Sequence, residues 1–115
     1  MLDDAKLAPW VASYNKRWGI QPSDYAITAY DAAQVVLAAI ATVAKTGAPV
    51  TRDAVRDAIQ AGTVDTLQGT LSFDANGDLA SHVVSVFQVR HDTAYPNDDA
   101  VHQFKYIGMA LADNS

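Results

Sequence analysis

The chain has 115 residues, of which 50% are hydrophobic and 18% are charged. This hydrophobic content is sufficient for a hydrophobic core and argues against disorder. The length corresponds to one domain or part of one. A net charge of -5 disfavours a nucleic-acid or anionic-membrane role, and the absence of cysteine excludes disulfides and thiolate chemistry.

The first predicted helix spans Leu2 to Gly19, where glycine ends it. Its apolar residues recur every three or four positions, as on one helix face: Leu7, Trp10, Val11, Tyr14 and Trp18. Two interpretations of the tryptophans stay open. They belong to a core-facing stripe, which aromatic residues at helical spacing favour, or they form a stacking platform for a ring or sugar.

The second predicted helix, Ser23 to Gly47, is the most apolar segment of the chain. Its polar residues form one narrow stripe that we expect to face solvent: Asp24, Thr28, Asp31, Gln34, Thr42 and Lys45. Ser23 is predicted to cap the first turn, and Gly47 to close the last one in a left-handed conformation. Such a helix needs neighbours on several sides. Its longest apolar run, Val35 to Ala41, is too short to cross a bilayer.

The third predicted helix, Arg52 to Ala61, begins after a capping residue, Thr51, and ends at Gly62. An irregular stretch follows it. The pattern then changes to alternation over Thr70 to Phe73, which predicts a strand.

Beyond this point the sequence predicts turns and strands. Asp74 to Asp78 contains an Asn-Gly pair and predicts a tight turn. His82 to Arg90 and Val101 to Met109 are predicted strands, and Asp92 to Ala100 is the loop between them.

No pattern supports catalysis, a cofactor or a metal. The DANGD segment at Asp74 to Asp78 resembles the start of a calcium loop, but Leu79 replaces the glycine and Ser85 the glutamate that such loops need. The three histidines, His82, His91 and His102, lack the spacing of zinc ligands. We expect strand histidines and a solvated turn.

Two stretches, AYDAAQVVLAAIATVAKTG and VTRDAVRDAIQAGTVDTLQGTLSFDANGDL, resemble the C-terminal third of periplasmic substrate-binding proteins of the branched-chain amino-acid (leucine/isoleucine/valine) ABC transporter type. The marks are Ala29 to Ala32, Ala54 to Ala58 and, most specifically, Gly69 to Leu79. Such proteins are much longer than this chain, so the resemblance implies a C-terminal fragment that lacks most ligand-binding loops.

The resemblance implies an α/β fold of two lobes that close on a small ligand, here with helices first and short antiparallel strands after them. Residues 1–76 would belong to one lobe, 77–81 to a hinge crossing and 82–115 to the other lobe. The hinge residues would be Gly77, Asp78 and Leu79, since closure requires a few residues that absorb dihedral change. Tyr25 matches a pocket position; packing against Trp10 or Trp18 is its alternative role.

We therefore expect a periplasmic solute-binding component of an ABC importer for amino acids or related small molecules, partnered by a membrane permease and not an enzyme. An export signal is expected in the parent gene, since Met1 to Lys6 is acidic and polar. The alternatives are a ligand-sensing regulatory domain on the same fold and a non-binding oligomerisation module. The fragment alone is expected to bind ligand weakly or not at all and to self-associate through its apolar helix.

Overall fold

The computed structural model describes residues 7–81 and 83–111. The elements are α1 (Leu7–Trp18), α2 (Asp24–Lys45), α3 (Arg52–Ala61), β1 (Val64–Thr66), β2 (Gly69–Leu71), β3 (Val83–Val89), α4 (Ala100–Gln103) and β4 (Phe104–Leu111). The prediction of a mixed α/β chain, with helices first and short antiparallel strands after them, is confirmed. The chain divides into two compact units, one ending at Ala80 and the other beginning at Ser81.

The core of the first unit is one stripe of α2, which packs against α3 and β1. Its buried residues recur at every fourth position: Ile27, Asp31, Val35, Ala39 and Val43. The prediction that Asp31 faces solvent with the other polar residues is wrong, because this carboxylate is 1% exposed and lies within the buried stripe. Helical spacing alone predicts solvent exposure for this residue, because its partners, Leu67 and Gln68, lie in a distant part of the chain.

The other side of α2 leaves large apolar side chains exposed. Val36, Leu37 and Ile40 are 42%, 57% and 37% exposed, respectively. By length and composition alone the stretch Tyr25–Lys45 could cross a membrane, with a mean hydropathy of 1.6, contrary to the expectation drawn from its longest apolar run. Core helices of soluble proteins meet the same criterion, and the buried, hydrogen-bonded Asp31 favours that role for α2.

The predicted helix ends are correct in part. Thr51 caps α3, since its hydroxyl accepts a hydrogen bond from the Ala54 amide at 3.2 Å. Ser23 precedes α2 but its side chain makes no capping hydrogen bond, so that prediction is wrong. Gly47 has φ +76°, as the left-handed closing position requires. Gly62 ends α3 by close approach instead, because a Cβ there would lie 2.7 Å from the Ala58 carbonyl oxygen.

A short antiparallel hairpin follows α3, where the sequence indicated an irregular stretch. β1 pairs with β2 from Val64 opposite Leu71 to Thr66 opposite Gly69. The turn between them is held by Thr66, whose hydroxyl donates to the Gly69 carbonyl at 2.8 Å and accepts from the Gln68 amide at 3.2 Å. Strands of three residues are too short to show a clear alternation of apolar and polar residues in the sequence. The predicted strand Thr70–Phe73 shifts to Gly69–Leu71.

In the second unit, β3 and β4 form an antiparallel pair from Val83 opposite Leu111 to Val89 opposite Phe104. The register shifts between Val86 and Phe87. The predicted strand Val101–Met109 is only partly correct, because Ala100–Gln103 forms α4 and the strand runs from Phe104 to Leu111. The Asp99 carbonyl accepts from the amides of His102 and Gln103, which favours a helical turn at this point over an extended chain.

Candidate functional site

The aromatic side chains of α1 pack at an angle to one another. Trp10 lies 5.3 Å from Tyr14 and 5.4 Å from Tyr30, between ring centroids, with interplanar angles of 40° and 56°. Tyr14 and Trp18 are 6.5 Å apart and inclined by 52°. Tilted rings of this kind do not present the coplanar faces of a stacking platform, so packing is the better interpretation for Trp10. Trp18 is 59% exposed, with the Arg17 guanidinium 5.2 Å from its ring centroid, and is not a core residue.

Tyr25, the predicted ligand-binding residue, lies in the first turn of α2. Its side chain is 86% exposed, which excludes the alternative in which the ring packs against Trp10 or Trp18. An exposed aromatic ring at a helix start can contact a ligand without affecting the local fold. Its role in binding stays a prediction.

The most constrained polar site is Asp31. One carboxylate oxygen accepts from the Leu67 amide at 3.1 Å. The other accepts from the Gln68 amide at 3.1 Å and from the Gln68 side-chain amide at 3.0 Å. The carboxylate thus binds the turn of the β1–β2 hairpin from the middle of α2. Sequence reasoning marked Asp31 within the Ala29–Ala32 motif but did not connect it with this turn.

The predicted hinge residues Gly77, Asp78 and Leu79 lie in a hydrogen-bonded turn. The Asp74 carboxylate accepts from the Asn76 amide at 2.8 Å and from the Asp78 amide at 3.0 Å. Asp74 and Asp78 also pair through the backbone at 2.8 Å, and Phe73 forms a β-bridge with Leu79. Gly77 has φ +86°, which a residue with a side chain rarely adopts.

This turn also bears on the resemblance to a calcium loop. One oxygen of Asp74 accepts two backbone hydrogen bonds that shape the turn, so the residue has a structural role. Within residues 7–81 and 83–111, no group of three metal-ligating side chains comes together. His82 lies outside the described residues. His102 Nδ1 is 2.8 Å from an Asp99 carboxylate oxygen, and its ring stacks on Tyr95 at 3.6 Å.

In the second unit, one buried side chain organises the loop between β3 and α4. The Gln103 amide, 5% exposed, accepts from the Asp92 backbone N–H at 3.0 Å and donates to the Asp92 carbonyl at 2.8 Å. It also lies 3.2 Å from the carbonyl oxygens of Tyr95 and Pro96. This loop is therefore held by specific hydrogen bonds, which the polar sequence of the segment did not predict.

These features define a mixed α/β chain with helices followed by short antiparallel strands, and with no metal-ligand grouping in the part that the structure describes. A family model described as periplasmic binding protein matches residues 2–95. The chain therefore belongs to the periplasmic binding protein family, which is generally non-catalytic. Searches among curated proteins and among solved structures found no match. Family membership supports a general solute-binding role outside the cytoplasm.

Proposed function

We propose that this chain is part of the periplasmic solute-binding component of an ABC importer for amino acids or related small molecules. The family match over residues 2–95 carries this proposal. The substrate class is proposed from two motifs that resemble those of branched-chain amino-acid binding proteins. They are AYDA at Ala29–Ala32 and GTLSFDANGDL at Gly69–Leu79. A membrane permease is the expected partner, and the protein delivers its ligand without chemical change.

Two observations on the first unit support the role of these marks. Asp31 of the AYDA motif binds Leu67 and Gln68, in the turn directly before the Gly69–Leu79 motif. The apolar side of α2, including Leu37, is exposed in the chain alone. In the proposed role, further parts of a longer polypeptide cover the part of this surface around Leu37 and complete the ligand cleft.

The proposed closure involves three parts of the chain. Residues 1–76 belong to one lobe, 77–81 form the crossing and 82–115 belong to the other lobe. Gly77, Asp78 and Leu79 are the proposed hinge, and Tyr25 contributes an apolar wall to the pocket. Small-angle scattering of the full-length protein, with and without ligand, tests this closure. An unchanged radius of gyration at saturation would contradict it.

The test of function is a thermal-shift screen of the full-length protein against branched-chain, aromatic and acidic amino acids, amides and urea. A ligand that binds only the folded state raises the unfolding temperature by mass action. We expect a specific shift with one amino-acid class, and a smaller shift or none with the 115-residue chain alone. A flat response of the full-length protein to every compound would refute the proposal. Micromolar binding of an amino acid by the 115-residue chain alone would refute the proposal that this chain lacks part of the ligand cleft.

A further inference from the structure

The first unit carries an open groove of about 570 Å³ that runs along α3, from Arg52 to Gln60. Its apolar walls are Ile40, Val50, Val55, Ile59 and Phe73. Small-molecule sites have volumes of about 300–1,000 Å³ and mostly apolar walls with a few polar groups, so both the size and the lining are suitable. Tyr25 is not among the lining residues, whereas Gly77 of the proposed hinge is.

The charged residues that line the groove are both arginines, Arg52 and Arg56. Arg56 is already paired: its guanidinium donates to Asp53 at 3.0 Å and to Asp57 at 2.8 Å. The hydrogen bond and the charge of Asp57, followed by the charge of Asp53, raise the pKa of Arg56. Arg52 has no ionic or hydrogen-bonding side-chain partner within the described residues, so its charge is available to a ligand.

The charge of α3 limits what this groove can bind. Its only charged residues are Arg52, Asp53, Arg56 and Asp57, so the helix has no net charge. One negative charge beside Arg52 is favoured because a guanidinium fits a carboxylate well. A second negative charge is not favoured, because Asp53 and Asp57, which do not line the groove, lie on the same short helix and balance its two arginines. The apolar walls require that the rest of the ligand be hydrocarbon.

We propose that the groove binds a monocarboxylic acid with an alkyl or aryl tail, the carboxylate at Arg52 and the tail against Val50, Ile59 and Phe73. This site does not use Tyr25 and does not rest on the proposed transport role, although it shares Gly77 with the proposed hinge. Binding is weak, because the groove is open and the ion pair is exposed to solvent.

The test is an NMR titration of the ¹⁵N-labelled 115-residue chain with octanoate, 1-octanol, acetate and octyl phosphate. Octanoate is expected to shift the backbone amides of Val50, Val55 and Ile59 and to bind about twofold to fivefold more tightly than octanol, as one exposed ion pair allows. Acetate, which has no tail, is expected to shift none of them. Octyl phosphate is expected to bind no more tightly than octanoate.

Two variants separate the charge from the apolar walls. Arg52→Gln is expected to reduce octanoate affinity to that of octanol, whereas Arg17→Gln, at an exposed arginine of α1, is expected to leave both unchanged. Val50→Gln is expected to weaken both ligands, and because Val50 is 51% exposed the fold tolerates this substitution. Equal affinity of the wild-type chain for octanoate and octanol would overturn the proposal. So would tighter binding of octyl phosphate, shifts confined to other residues, or no binding.

Discussion

Replacement of Asp31 tests whether a buried carboxylate joins α2 to the β1–β2 hairpin. Asp31→Ala removes three hydrogen bonds at once, from the backbone amides of Leu67 and Gln68 and from the Gln68 side chain. Because Asp31 is 1% exposed, water does not readily replace the lost acceptor. The Leu67 amide then has no partner among the described hydrogen bonds, whereas the Gln68 amide retains the Thr66 hydroxyl at 3.2 Å.

The expected loss follows from these partners. Hydrogen bonds to a charged group contribute about 1.5–3 kcal/mol each, and an unsatisfied buried amide costs about 1–3 kcal/mol. The Gln68 side chain is exposed and can turn to water. Removal of the buried charge offsets part of the loss. The net change in the free energy of unfolding is therefore expected to be about 2–4 kcal/mol. For a unit of this size, that lowers the melting temperature by about 10–30 °C.

Urea denaturation followed by circular dichroism measures this loss. The matched control is Asp65→Ala in the same hairpin, because Asp65 is exposed and, among the described residues, accepts only from the Thr70 hydroxyl. The control is expected to change the free energy of unfolding by less than about 0.5 kcal/mol. Asp31→Asn retains one acceptor oxygen and is expected to fall between the two. If Asp31→Ala is no more destabilising than Asp65→Ala, the carboxylate does not anchor the hairpin.

Four further outcomes follow from exposure and hydrogen bonding. Tyr25→Ala is expected to leave the melting temperature unchanged, since the ring is 86% exposed, and to weaken amino-acid binding by the full-length protein about tenfold; unchanged affinity would remove Tyr25 from the site. Gly77→Ala is expected to lower the free energy of unfolding, measured by urea denaturation, by about 1–2 kcal/mol. The cost comes from the left-handed φ of +86° alone, since an added Cβ meets no atom within 4 Å; an unchanged free energy would contradict this turn. Gln103→Ala is expected to accelerate hydrogen exchange of the Asp92 amide, which its side chain now protects, and an unaltered rate would refute that protection. Leu37→Gln is expected to reduce self-association in light scattering without destabilising the fold, and a wild-type chain that is already monomeric at high concentration would exclude self-association.

Features determined by a few neighbouring residues could be predicted from the sequence. The bounds of α3 follow from its capping threonine and terminal glycine, and the Asn-Gly pair correctly indicates the turn at Gly77. β3 is a run of β-branched and aromatic residues and is also evident. In each case, the residues that specify the feature lie within a few positions of it, so periodicity and turn chemistry suffice.

Features that depend on distant partners could not be predicted. Asp31 is separated from Leu67 by 36 residues, so its helical spacing suggested solvent exposure. α4 depends on amides that bond to the Asp99 carbonyl, and its four residues are too few to show helical periodicity. The groove likewise combines Ile40 with α3 and Phe73, three segments that only the tertiary fold brings together.

The separation between Asp31 and its partners also orders events during synthesis. The helix that contains Asp31 is translated well before Leu67 and Gln68. The carboxylate therefore lacks its hydrogen-bond donors until the hairpin leaves the ribosome. Until then, water must solvate the charge, and the apolar stripe on either side of it cannot close. The first unit can thus acquire its final packing only after the whole hairpin, through Leu71, has left the ribosome.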